Sequence, residues 1–374
     1  MKLISYDNVM SYYKSQIDNI SKNNPDEYER QHAIVSASLV NYLPEVLTDD
    51  HEDIFKEILL NQRLTYFDQS QEFKMSNIEF LGFSYDDLLC LKKYPQIICT
   101  YHYGSYRLIN HLLALTGIPF ALIVSSEVIK KQGDLINTLH AKFKTTNSSF
   151  NVIDAESRTS AIQMLRVLTS GKSLVVYIDG NTGAGDSTFE SNNCLEIPFL
   201  ENQIKARKGV ATLSYISKTP IIPFVCIRKS LQAHIFQFGA SIKPTDFSCK
   251  DYYVQFATSK LFSFIGSYIV KNPGQWESLL YLHKFFVSKQ VDDSYMQGEV
   301  SSEKEEFKFN SRDFGLFTLN GKYVLLKKKN YITYVLNYDV YEILRRSQTN
   351  SISDHNLKDT IFNKLITSGV LINE

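Results

Sequence analysis

Ile97-Ile98-Cys99-Thr100-Tyr101-His102-Tyr103-Gly104-Ser105-Tyr106-Arg107 is the stretch that governs how the rest of the chain reads. Its first five residues make an apolar run of strand length, and Leu108, Leu112 and Leu115 after it fall at helical spacing. A buried strand that passes through a small residue into an amphipathic helix is the unit of an open α/β sheet. Such sheets carry their chemistry beyond the carboxyl ends of the strands. His102 stands at that point.

The same alternation continues on either side. Strands are expected over 96–101, 119–124, 150–153, 173–178 and 220–228, with 233–238 as an added antiparallel strand. Helices are expected over 104–115, 131–143, 157–169, 205–217 and 252–271. This spacing implies βαβ crossovers and a mostly parallel sheet flanked by helices. Residues 1–92 read as a helical cap on that domain, with Val9, Tyr12, Tyr13, Ile17 and Ile20 at helical spacing. The α/β domain takes 93–291. Residues 292–311 are poor in apolar side chains and read as a linker. In the last segment, 312–374, Leu316 to Leu326 form a strand, an Asn320-Gly321 turn and a second strand. A third strand over 331–336 and helical segments at 340–345 and 356–366 complete a small winged-helix-like α+β domain.

With 374 residues, 44% of them hydrophobic, the chain can form one domain of about 250 to 300 residues and a small one. Forty basic and forty acidic residues cancel. There is no positive field for nucleic acid, and the one basic run is Lys327-Lys328-Lys329. Five scattered cysteines lack the close pairs of zinc sites and disulfide frameworks. They fit a reducing compartment, and neither a metal nor a tightly bound cofactor is expected. No run has the apolar length of a membrane span or of a signal peptide. A cytoplasmic protein, at most peripheral to a membrane, is therefore expected, and abundant Lys, Asn, Ile, Tyr and Ser suggest a bacterial source.

Four blocks in order carry a family resemblance. His102-Tyr103-Gly104-Ser105-Tyr106-Arg107 resembles a His-x4-Asp/Glu signature with Arg107 in place of the acid. Tyr177-Ile178-Asp179-Gly180-Asn181-Thr182 resembles an acid-glycine-threonine block. Ile197-Pro198-Phe199-Leu200, Lys205 to Ala211 and Thr219 to Pro223 look like substrate and proline blocks. Pro273-Gly274-Gln275-Trp276, then Leu282-His283-Lys284-Phe285, is similar to a Pro-x-Gln-Trp and His-Arg-Phe pair. In this order, over 96–286, they resemble the lysophospholipid and lipid A (lauroyl-type) acyltransferase superfamily. The resemblance implies a glycerolipid acyltransferase-like fold, an acyl thioester of a carrier protein or coenzyme A as co-substrate, and His102 as base. It also implies an N-terminal membrane anchor, for which this sequence has no apolar run.

As a general base, His102 takes the proton from an acceptor amine or hydroxyl while that group attacks a thioester carbonyl. Position alone equally allows a buried histidine that satisfies a backbone carbonyl. A carboxylate is needed to hold the ring tautomer and stabilise the imidazolium. Arg107 supplies neither service, and its charge opposes protonation of the ring. Asp179 is the expected orienting acid, with Asp186 as a second candidate. Arg107 then either grips a substrate carboxylate or phosphate through its planar fork or lies on a solvated helix face. Ser105 and the loop Gly180, Asn181, Thr182 onward are expected substrate contacts, the loop amides suiting a phosphopantetheine arm or a thioester oxygen. Lys205 and Arg207, read at a helix start, are either an anion site or a solvated face. Trp276 and His283 read as core residues. No Gly-x-Ser-x-Gly elbow is present.

The C-terminal segment resembles PqqD-like recognition domains, a resemblance that implies capture of an extended peptide at a sheet edge. Packing against the core merely to bury apolar surface is the alternative. The combined expectation is an acyltransferase-like enzyme of natural-product biosynthesis. It moves an acyl group from a carrier-protein or coenzyme A thioester to an amine or hydroxyl of a peptide or another intermediate. Because of Arg107, the alternative is a pseudoenzyme or repurposed fold that binds a carrier-tethered or peptide ligand, or that condenses or hydrolyses a thioester.

Overall fold

A computed structural model describes residues 6–71, 73–144, 149–180, 193–287, 306–352 and 359–373. Three helices come first, α1 (Tyr6–Asn23), α2 (Pro25–Tyr42) and α3 (His51–Ser70), then a short strand β1 (Ile78–Leu81) and a short helix α4 (Tyr85–Leu89). The run that begins at Ile97 is β2 (Ile97–Thr100), followed by α5 (Leu108–Thr116), β3 (Phe120–Val124), α6 (Ser126–Phe143), β4 (Phe150–Asp154), α7 (Ser160–Thr169) and β5 (Ser173–Tyr177). A hairpin of β6 (Cys194–Phe199) and β7 (Asn202–Arg207) precedes α8 (Gly209–Ser217), β8 (Ile221–Arg228), β9 (His234–Phe238) and α9 (Lys250–Ile269).

Seven of these strands form one sheet in the order β1-β9-β8-β2-β5-β3-β4. The five from β8 to β4 are parallel. β9 runs antiparallel to β8, and β1 pairs with β9 in parallel. β2 is central and buried at every residue. Its side chains alternate between two apolar layers, as a strand covered on both faces requires. Ile98 joins Leu122, Val175 and Ile222 against Leu108 and Leu112 of α5. Ile97 and Cys99 join Leu174 and Ile221 against Leu168, Leu213, Tyr253 and Leu261 of α7, α8 and α9.

Two local expectations are corrected. Residues 205–217 are not one helix. Ile204 and Ala206 are buried while Lys205 and Arg207 are half-buried, a period of two, and β7 pairs antiparallel with β6 before α8 begins at Gly209. Lys205 and Arg207 therefore belong to a strand. Residues 78–81, inside the segment read as helical, form a sheet strand that is carried by β9.

Contacts divide the chain into two units, Met1–Tyr13 with Lys56–Ser278, and Lys14–Phe55 with Leu279–Glu374. The stretch 1–92 is thus shared between them instead of capping one. The second unit contains β10 (Phe307–Phe309), β11 (Phe314–Leu319), β12 (Lys322–Lys327), β13 (Ile332–Leu336), α10 (Tyr338–Arg346), α11 (Asp359–Thr367) and β14 (Leu371–Asn373). The hairpin forms as expected, with Asn320 and Gly321 at φ 50° and 73°, the left-handed pair that a tight two-residue turn needs. One face of β11 and β12 packs Phe314, Leu316 and Leu325 on Val340, Leu344, Phe362 and Leu365. On the other face Phe317, Val324 and Leu326 meet Ala33 and Ala37, which is what draws α2 into this unit. β10 falls within the segment read as a linker and pairs with β14. Lys328, the middle of the basic run, is buried and donates to Ser36 and to the Ser311 carbonyl. Among the described residues no helix is long and apolar enough to cross a membrane, and no cluster of histidine, cysteine or carboxylate side chains suits a metal ion.

Candidate active site

β2 and β5 are parallel neighbours, with Thr100 opposite Tyr177. His102 and Asp179 each lie two residues beyond that pair, so the two strand ends deliver them side by side. Asp179 Oδ1 is 2.8 Å from His102 Nδ1, and the His102 backbone N–H donates to both carboxylate oxygens at 3.1 and 3.0 Å. Trp276 Nε1 and Ser278 Oγ each donate to Asp179 Oδ2 at 2.8 Å. With 2% of its surface exposed, Asp179 depends on these donors. Burial alone would raise its pKa, but His102, Trp276 and Ser278 outweigh it and hold the carboxyl below the usual range.

An ionised carboxylate only accepts hydrogen bonds, so Nδ1 carries the ring proton and Nε2 keeps its lone pair. Among the described residues nothing pairs with Nε2, and the histidine side chain is 21% exposed. The ring lies against Tyr106 and Tyr177, with centroids 4.9 and 5.0 Å away. A Cβ added at Gly180 would stand 3.7 Å from His102 Cε1, so this residue borders the imidazole. Burial pulls the histidine pKa down, while the charge and hydrogen bond of Asp179, aided by Glu277, prevail and raise it above its ordinary value of 6.5. Arg107 acts in the opposite direction.

The turn after β2 is buttressed from below. Gly104 has φ +57°, and a Cβ there would come within 2.2 Å of the Cys226 carbonyl oxygen, so no larger residue fits without displacing backbone. Its N–H donates to the Gln275 carbonyl at 2.9 Å, its carbonyl accepts from Thr65 Oγ1 at 2.8 Å, and the Glu277 N–H donates to the His102 carbonyl at 2.9 Å. Ser105 is fully buried and its hydroxyl donates to Asp68 Oδ2 at 2.7 Å. Asp68 in turn pairs with Arg228 at 2.7 Å, and Arg228 Nε donates to Asn61 at 3.0 Å. Burial would raise the Asp68 pKa, but Arg228, then His234 and Ser105, lower it overall.

The expected site residues separate into groups. His102, Asp179 and Gly180 come together. Arg107 is beside them, its charge felt at His102. Ser105 points into the interior, engaged by Asp68. Lys205 and Arg207 are on β7, where burial pulls the Arg207 pKa down. Asn181, Thr182 and Asp186 lie outside the described residues. Trp276 is a core residue, 1% exposed and packed on Phe199, yet it also holds the Asp179 carboxylate. Ser278, Asp68 and Arg228 carry no local sequence signal. Tertiary packing alone brings them to the end of β2: Arg228 closes β8 beside it, Asp68 lies on α3 and Ser278 in a 3-10 turn.

Residues 129–286, less than half of the chain, match the bacterial lipid A biosynthesis acyltransferase family. The match includes Asp179, Trp276 and Ser278 and begins after His102 and Arg107. No curated protein sequence matches the chain. Among solved structures, the 1-acyl-sn-glycerophosphate (LPA) acyltransferase PlsC from Thermotoga maritima is 11% identical, with a TM-score of 0.33 over 68% of this chain and 95% of that one. Across residues 129–286 the chain carries the sequence pattern of the bacterial lipid A biosynthesis acyltransferases.

Proposed function

We propose that the protein transfers an acyl group from a thioester of a carrier protein or coenzyme A to an amine or hydroxyl of a peptide or another biosynthetic intermediate. The 2.8 Å contact between His102 Nδ1 and Asp179 carries this reading, because it leaves Nε2 available as a base despite Arg107. The acceptor nitrogen or oxygen forms the new bond to the thioester carbonyl carbon while its proton passes to Nε2. The carbon–sulfur bond then breaks, and the imidazolium returns that proton to the departing thiolate. Asp179, ionised and fully engaged, stabilises the imidazolium in between. No tightly bound cofactor enters this scheme.

Incubation with acyl thioesters of coenzyme A and of carrier protein, together with amine and hydroxyl acceptors, tests the reading by mass spectrometry. An acylated acceptor formed only when His102 is present is expected. Acyl groups released to water, or condensed with one another, indicate altered chemistry on the same site. Thioester binding without any product assigns the fold to ligand binding alone.

The second unit supports a peptide or protein partner. β13 ends its three-stranded sheet, and Ile332, Tyr334 and Val335 are exposed along it. An open edge of this kind accepts an extended chain through main-chain hydrogen bonds. Calorimetric titration of the full chain with leader peptides and carrier proteins is expected to give saturable binding that Val335→Lys weakens several-fold. Absence of binding by the unaltered chain would leave this unit with a packing role only.

A further inference from the structure

Arg107 is a half-buried cation with no counter-charge among the described residues. Its Nη1 donates to the side-chain oxygens of Gln69 and Gln132 at 2.8 and 2.7 Å, and the guanidinium carbon stands 4.1 Å from the centre of the Tyr66 ring. These contacts fix its pose. Among the described residues no carboxylate pairs with it, and Nε is buried without an acceptor. A solvated surface arginine would need none of this support, whereas a buried unpaired charge is costly unless something compensates it.

The cation and the base share one wall. The Tyr106 ring centroid is 4.9 Å from the His102 ring and 5.6 Å from the Arg107 guanidinium carbon. With Nη1 occupied and Nε buried, Nη2 remains to meet an incoming anion, a charge-assisted donor beside the Tyr106 ring. Asp179 and Glu277 already place negative charge on the His102 side. One guanidinium balances a monoanion there, while a doubly charged phosphate would keep excess charge in an aromatic nest. The phosphates of a coenzyme A or phosphopantetheine donor are many bonds from the thioester, so an extended arm carries them well beyond Arg107 while the carbonyl is at His102. The anion therefore belongs to the acceptor.

We propose that Arg107 binds a single carboxylate of the acceptor, placed a few bonds from its nucleophilic amine or hydroxyl. This rests on the transferase reading of the same site. The acceptor class is then amino acids, hydroxy acids or peptide segments that end in or carry such a group.

The sole tryptophan, Trp276, donates to Asp179 and reports on the site through its fluorescence. The full chain is titrated with glycine, β-alanine, serine and lactate, each beside its primary amide, and with inorganic phosphate. The acids are expected to give saturable changes at least about tenfold tighter than the amides, the size of a charge-assisted contact. Arg107→Gln abolishes that preference, and Arg107→Lys, which keeps the charge on a different stem, retains part of it. Equal responses to acid and amide, a preference undiminished in Arg107→Gln, tighter binding of phosphate, or no saturable response would each overturn the proposal. The acid-to-amide comparison needs no variant, so a poorly folded Arg107→Gln leaves it decisive. Acid-selective binding with no acylated product keeps the subsite and removes the transferase reading. Product formed equally from acids and amides does the reverse.

Discussion

Replacing Asp179 by Asn lowers the rate of acyl transfer by about a thousandfold or more, the scale set by loss of the orienting carboxylate in a catalytic triad. An amide can turn its NH2 toward Nδ1, which forces the ring proton onto Nε2 and removes the base. It also leaves the imidazolium without a counter-charge. The pH dependence changes with it. The base works as neutral imidazole, so the rate climbs as pH rises through the histidine pKa. In the native protein that midpoint lies above 6.5, because Asp179 outweighs burial. In Asp179→Asn burial and Arg107 remain and the larger raising charge is gone, leaving only the lesser pull of Glu277, so the limb moves to lower pH. Pre-steady-state rates across a pH series measure both effects, with thermal unfolding to confirm that the variant folds. A limb that stays in place with a native rate would remove Asp179 from the mechanism.

Asp68→Ala destabilises the fold by about 3–5 kcal/mol, the cost of leaving one partner of a buried ion pair uncompensated. The Arg228 and Asp68 side chains are only 7% and 4% exposed. Arg228 Nε has Asn61, while Nη1 and Nη2 make no well-aligned hydrogen bond among the described residues. The same change releases Ser105 and so loosens the turn that positions His102. Urea unfolding measures the loss, and adding Arg228→Met should recover most of it, since an apolar side chain needs no partner. A loss below about 1 kcal/mol, the range of an exposed pair, would show that this pair does not hold the turn.

The central sheet was legible because its strands are short apolar runs that need cover on both faces, and such runs stand out from amphipathic helices of longer period. The strand-end rule that singled out His102 also selected Asp179, since both residues follow buried parallel strands. β7 was misread because Lys205, Ala206, Arg207 and Lys208 form a short charged stretch that precedes a true helix. Its alternation becomes informative only once β6 lies beside it. β1 is four residues long and depends on β9, so propensity had little to work with. The place of α2 is set by Ala33 and Ala37 meeting Phe317 and Leu326, a packing of residues far apart in sequence that leaves no local trace. Asp68 and Arg228 were invisible for the same reason. Each is an ordinary charged residue until the sheet closes over both.

The central claim is that His102 removes the acceptor proton. It is tested most directly by the single-turnover rate of His102→Ala beside the native protein, with the same thioester and acceptor and the acylated product counted by mass spectrometry. The account predicts at least about a hundredfold loss, the usual minimum for a general base, with thioester binding unchanged. Equal rates in the two proteins would contradict it.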